Sequence, residues 1–234
     1  MQHSPGTTAV EPTTGAPPGG RTPAPSAADR AYTLLRTRIV SGATPGGTML
    51  SEGEVADELG TSRTPVREAF LRLQAEGWMQ LYPKRGALVR PVEADELTEL
   101  VEARFLVETA AVRSVAADAA RAQALVEALR AHLDTQRDAA AAGDLDAFAL
   151  ADVAFHQAVA DAGGNSILVA FYASLRDRQH RITARTVRAG GDRLAVILEQ
   201  HAALVDHVAV RDAAAFEQAL GAHLGQIRGE VLGR

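Results

Sequence analysis

Gly60-Thr61-Ser62-Arg63-Thr64-Pro65-Val66-Arg67-Glu68 is the stretch on which the fold turns. Gly60 is a natural helix stop, Ser62 a natural cap, and Pro65 is tolerated in a first helical turn. Val66, Ala69, Phe70 and Leu73 then recur at helical spacing, which leaves Arg63, Thr64 and Arg67 on the opposite, exposed face. Upstream, Ser51-Glu52-Gly53-Glu54 has the form of a capping box, and Val55, Ala56 and Leu59 continue a short helix. Before it, Ala31, Leu34, Leu35 and Ile39 mark a helix over residues 27–41, closed by Gly42 and the turn 43–47. Downstream, residues 78–81 and 87–91 read as strands joined by Tyr82-Pro83-Lys84-Arg85-Gly86. Helix, helix, tight turn, helix and hairpin is the order of a winged helix-turn-helix. In that arrangement Arg63, Thr64 and Arg67 face the major groove of double-stranded DNA, and the Lys84-Arg85-Gly86 tip meets backbone or minor groove. Taken alone, the same arginines would read as a solvated helix face.

Charge supports the division. The 234-residue chain has a net charge of −5, but residues 1–92 hold ten Lys and Arg against eight Asp and Glu, a net +2. Residues 93–234 hold 14 against 21, a net −7, which phosphate would repel. The chain is 47% hydrophobic but only 4% aromatic, so its core is built from Ala, Leu and Val, a composition that favours helix. Without cysteine, thiolate metal sites and disulfides are excluded. No apolar run is long enough to span a membrane and no signal pattern opens the chain, so a soluble cytoplasmic protein is expected. Residues 1–26, rich in Pro, Gly, Thr, Ser and Ala, are expected to form a disordered tail. The DNA-binding domain follows over 27–92 and a second domain over 93–234.

The second domain reads as helix throughout: 94–120, 122–142, 144–162, 166–188, 193–210 and 212–232, with Asp144, Asn165 and Asp212 as caps. About six helices with short connections indicate an antiparallel bundle, making the protein mainly α. Three of its apolar stripes carry polar groups. Asp152 and His156 sit between Phe148 and Val159, His201 between Ile197 and Leu204, and His223 between Leu220 and Ile227. From three helices these four can converge on one point, and neutral imidazole with carboxylate suits Zn, Ni, Fe or Mn. Singly, each histidine also fits as a satisfied core residue, and His132, His180 and His207 lie at or off stripe edges. Arg104 faces the interior as well, where its charge requires a partner: either a structural one, Glu108 one turn away or another carboxylate, or the carboxylate of a small molecule beside a metal.

From Leu50-Ser51-Glu52 through Leu59-Gly60-Thr61-Ser62-Arg63-Thr64-Pro65-Val66-Arg67-Glu68-Ala69, then Leu73, Glu76-Gly77 and Arg85-Gly86, the sequence resembles the DNA-binding domain of GntR-type bacterial transcriptional regulators. Ala103-Arg104-Phe105 to Glu108, Asp152 with Phe155-His156, Glu199 with His201, and His223-Leu224 resemble the metal-binding form of the FadR-type (FCD) ligand domain of that family. The resemblance implies a homodimeric repressor or activator, with repression the expected mode, binding a short palindromic operator. It implies base or phosphate contacts from Arg63, Thr64 and Arg67, a wing at Lys84-Arg85-Gly86, and metal ligation by Asp152, His156, His201 and His223, with zinc first among the candidates. It implies Arg104 as a contact to an organic-acid effector. Two positions depart: Gly53 stands where the family carries a DNA-contacting arginine, and His207 where it carries a small apolar residue.

Three functional readings follow. In the first, the helical domain senses a small carboxylate through a bound metal and controls DNA binding, with no catalytic residues. In the second, it is a metal-dependent hydrolase tethered to a DNA-binding module, although no inward carboxylate besides Asp152 stands out as a general base. In the third, it is a regulator whose metal is structural.

Overall fold

The computed structural model describes Met1 and residues 24–232. Most of the tail expected over 1–26 lies outside these residues, but its last member has a structural role. Ser26 caps α1 (Ala27–Val40) in a full capping box: its hydroxyl accepts from the Asp29 N–H and the Asp29 carboxylate accepts from the Ser26 N–H. The box anticipated at Ser51 is reduced to one bond, with Ser51 Oγ accepting from Gly53 N at the start of α2 (Glu52–Leu59). Gly60 ends α2 at φ 59°, a left-handed conformation open to glycine at little cost. Ser62 precedes α3 (Arg63–Ala75) in extended backbone, but its side chain makes no capping bond.

Strand β1 (Met49–Leu50) was not evident in the sequence, because two residues carry no alternation. It joins β2 (Met79–Tyr82) and β3 (Gly86–Val89) in an antiparallel sheet of order β1-β3-β2. Gly86 is required at this crossing: at φ 106°, a Cβ there would lie 2.1 Å from the Leu50 carbonyl oxygen. Leu35, Ile39, Phe70, Leu73 and Met79 close the core beneath the three helices and the sheet. Each such side chain contributes about 1.5–3 kcal/mol by leaving water.

The second domain is the expected bundle, with the helix ends adjusted by local chemistry. Asp118 caps two N–H groups, so the first break falls there, between α4 (Ala94–Ala116) and α5 (Ala119–Ala142). Next come α6 (Leu145–Ala162), capped by Asp144, and α7 (Ser166–Ser174), capped by Asn165. The helix expected over 166–188 is interrupted at Leu175, where the chain tightens into i→i+3 bonds and the Ser174 hydroxyl takes the Phe171 carbonyl. It resumes as α8 (Arg176–Arg188), followed by α9 (Arg193–Ala209) and α10 (Ala213–Leu232), the last capped by Asp212. Leu97, Leu129, Phe155, Leu204, Phe216 and Leu220 form the middle of the bundle.

The two domains pack within the chain, α1 against α8. Arg36 pairs with Asp177, Arg181 donates to the Arg90 carbonyl, and the Arg178 and Arg181 guanidiniums stand 5.9 and 5.8 Å from the Trp78 ring. No helix among the described residues is long and apolar enough to cross a membrane.

Candidate functional site

Two sites assemble from the residues singled out in the sequence. The first is at the surface of the N-terminal domain. Arg63, Thr64 and Arg67 are exposed on the opening turns of α3, with Val66, Ala69 and Phe70 turned into the core behind them. Arg63 and Arg67 share a groove with Lys84, Arg85 and Gly86 at the β2–β3 turn; Thr64 stands on the same helix end outside that groove. Pro83 and Lys84 occupy the corners of this turn, closed by the Arg85 N–H to the Tyr82 carbonyl. Gly53 borders the groove, and a Cβ there would lie 3.3 Å from Arg63 Nη2. The groove thus presents helix and wing cations to one side, as a duplex backbone with an exposed base edge requires.

The second site lies at the centre of the bundle. Asp152 and His156 come from α6, His201 from α9 and His223 from α10; the three histidines are fully buried and Asp152 nearly so. One ligating nitrogen from each histidine falls within 4.8 Å of the others, and Asp152 Oδ1 lies 3.6 Å from His201 Nε2. All three Nε2 atoms and Asp152 Oδ1 are buried with no hydrogen-bond partner. The Nδ1 atoms are all engaged: His156 with Glu108 Oε2 at 2.7 Å, His201 with Gln136 Oε1 at 2.8 Å, and His223 with Gln200 Oε1 at 2.7 Å. An oxygen acceptor at Nδ1 selects the tautomer that carries its proton there, leaving the Nε2 lone pair directed into the centre. Phe155 stacks on His201 at 4.2 Å between ring centroids and holds that ring in place. The Thr183 hydroxyl donates to Asp152 Oδ2 at 3.0 Å, which turns Oδ1 towards the histidines.

Arg104 meets the first of its two expected partners. Its Nε donates to Glu108 Oε1 at 3.2 Å, while Nη2 is buried without a partner. Glu108, fully buried, also accepts the Tyr172 hydroxyl at 2.5 Å. Burial pushes the carboxyls up, Asp152 to about 6 against the pull of Arg104 and Thr183, and Glu108 against that of Arg104 and Tyr172. Burial drives all three histidines well below the usual imidazole range, and Arg104 adds to the effect. The imidazoles are therefore neutral, the form that ligates a metal. The donor set fits a divalent cation, which would supply the partner that four buried atoms lack.

Gln136, Gln200, Tyr172 and Thr183 were not identified from the sequence. Gln136 was within reach, since it continues the buried Leu125, Leu129, Leu133 stripe of α5 as a lone polar group. Gln200 and Thr183 show no such pattern. His132, His180 and His207 are half-buried outside the cluster, and Glu199 is exposed.

Residues 27–89 match bacterial regulatory proteins of the gntR family, and residues 99–226 match the FCD domain. The chain is 33% identical over 186 residues to the probable D-xylose utilization operon transcriptional repressor of Paenarthrobacter nicotinovorans, spanning 80% of each protein. It is 29% identical over 202 residues to the gluconate operon transcriptional repressor of Bacillus subtilis, spanning 84% of this chain and 82% of that one. A GntR regulator structure from Rhodococcus sp. RHA1 superposes with a TM-score of 0.69 at 26% identity, covering 88% and 97% of the two chains.

The protonation pattern has a measurable consequence for the metal-free protein. Below about pH 6.5 the unfolded chain protonates its histidines while the fold keeps three of them neutral, so acid favours unfolding. Asp152 acts in the opposite sense as the pH falls through about 6, and the raised Glu108 carboxyl has the same sign, two groups against three. The melting temperature of chelator-treated protein, followed by circular dichroism, is expected to fall between about pH 7.5 and about pH 5.5. A constant or rising value would refute the neutral triad.

Proposed function

Since the chain belongs to the GntR family of bacterial regulatory proteins, a family of DNA-binding transcriptional regulators and not of enzymes, we propose that it binds a palindromic operator as a homodimer, under the control of a small organic acid held beside a divalent metal in its FCD domain. The observation that carries this reading is the convergence of three Nε2 atoms, each unpartnered and each backed by an acceptor at Nδ1. A core histidine kept only for packing needs no such alignment.

His156, His201 and His223, with Asp152 beside them, would hold the metal, zinc foremost and Ni, Fe or Mn as alternatives. When bound, the ion supplies a Lewis-acidic position for an effector carboxylate oxygen. The buried, unpartnered Nη2 of Arg104 supplies a directed donor for the same group. The Bacillus subtilis relative is named for a gluconate operon, which supports a sugar-derived acid as the effector and repression as the mode.

Control of DNA binding requires that the effector prefer one arrangement of the domains. Helix α8 is the element that both sites bias. Its Thr183 positions Asp152, and two residues away its Arg181 holds the Arg90 carbonyl and flanks Trp78 in the DNA-binding domain. A change in how Asp152 is held alters the seating of α8, and with it the presentation of α3.

The partner surface is apolar. Leu106 on α4 is 67% exposed, and Ile167 and Phe171 on the adjoining α7 are 79% and 46% exposed. A second copy would cover them, placing two recognition helices on the half-sites of one operator.

Arg67→Ala or Arg63→Ala is expected to weaken specific operator binding by about 1–3 kcal/mol with the fold unchanged; unaltered affinity in both variants would remove the recognition-helix assignment. In His201→Ala, metal content by elemental analysis and the response of operator binding to sugar acids should both be lost, with operator binding in the absence of effector retained. Full metal occupancy in that variant would eliminate the ligand set, and an unaltered response with metal lost would make the ion structural. Leu106→Glu is expected to shift the protein from dimer to monomer by light scattering; a dimer of undiminished stability would place the interface elsewhere.

A further inference from the structure

Helix α8 is unlike the acidic domain that contains it. Of the 14 Lys and Arg in residues 93–234, five lie on this 13-residue helix: Arg176, Arg178, Arg181, Arg185 and Arg188. Arg181, Arg185 and Arg188 are spaced four and three apart, so they share a face. They line one wall of a cleft of about 570 Å³ between the domains. The other wall includes Ile39 at the end of α1, the Thr44-Pro45-Gly46 turn, and Val92. The turn passes close: a Cβ on Gly46 would sit 2.7 Å from Pro91 Cα and 3.3 Å from Arg181 Nη2. No carboxylate is among the residues lining the cleft, and Asp146, which pairs with Arg188 at 2.6 Å, stands outside the lining. Burial lowers Arg181, and the Arg185 and Arg90 guanidiniums add to this against Glu96. Three guanidiniums along one wall of a cleft whose lining holds no carboxylate concentrate positive charge there, and an anion is drawn to such a wall.

We propose that this interdomain cleft is an anion site, separate from the buried histidine cluster, for a small molecule bearing a doubly charged oxyanion on a partly apolar body, a phosphate monoester being the matching class. Guanidinium forks match the oxygens of such a group in pairs. Ile39, Pro45 and Val92 accept its hydrocarbon part, and the volume suits a metabolite-sized ligand. Because the walls come from both domains, the occupant bridges them and braces the DNA-binding domain against α8.

Phenyl phosphate serves as the probe on the full chain, by calorimetry and thermal shift, with sodium chloride at matched ionic strength as the reference. Saturable binding and a raised melting temperature are expected. Both should weaken about tenfold or more in Arg185→Gln, which removes a charged donor, and in Thr44→Glu, which places a carboxylate in the cleft. The Thr44 variant decides the matter if the Arg185 variant fails to fold. Binding should persist in Arg63→Ala/Arg67→Ala and in His201→Ala. Absence of saturable binding to the wild type, or unchanged binding in both cleft variants, overturns the proposal. Loss in the Arg63/Arg67 variant instead assigns the anion to the DNA face, and loss in His201→Ala assigns it to the histidine cluster; either result also overturns it.

Discussion

The carboxylate of Glu108, buried at the centre of the bundle, is the group on which the candidate centre depends. It accepts from Arg104, from His156 and from Tyr172, and so ties α4, α6 and α7 to one point. An ionised carboxylate so deep in a low-dielectric interior is costly unless paired and hydrogen-bonded. The guanidinium four residues before it and the two further donors meet that requirement. Once they are in place, His156 has its proton fixed on Nδ1 and its lone pair directed inward. Gln136 and Gln200 repeat the device for His201 and His223 with neutral carbonyl oxygens. The result is a set of unpartnered ring nitrogens in one buried region, a donor set that could hold a metal ion.

The same economy of helices links that centre to the surface. α8 carries Thr183 towards Asp152 and Arg178 and Arg181 towards Trp78, with Asp177 held by Arg36. Its basic residues lie against the N-terminal domain, itself net positive, and the rest of the helical domain keeps the acidic excess that phosphate repels. A short helix with one face on the buried cluster and another on the DNA-binding domain joins the two without any long-range deformation of the core.

Most of the architecture was legible in the residues. The Gly60–Glu68 turn, the stripes of α3, α6, α9 and α10, and the caps at Asp144, Asn165 and Asp212 are local signals, set by backbone conformation and the 3.6-residue period, and they hold in the structure. Errors arose where local signals compete. Ser62 has the composition of a cap but makes no capping bond, Asp118 moved a helix boundary, and Leu175 broke a segment whose apolar period runs on. The two-residue β1 is defined only by its partner β3, so nothing in its own sequence marks it.

For the candidate centre, periodicity alone turned Arg104, Asp152, His156, His201 and His223 inward, since a residue's place on a stripe is a property of its own helix. Which nitrogen of each ring faces the centre depends on the acceptor behind it, and those acceptors lie 48, 65 and 23 residues away in the chain. Whether Arg104 would meet Glu108, another carboxylate or a small molecule was likewise undecided in the sequence; in the structure its Nε meets Glu108 while Nη2 has no partner. Chain-local chemistry thus determined the elements and their inward faces. Only the packing of helices distant in sequence decided the tautomers, the unpartnered atoms and the seam between domains, because hydrogen-bond partners at that separation are set by how the bundle closes and not by any period along the chain.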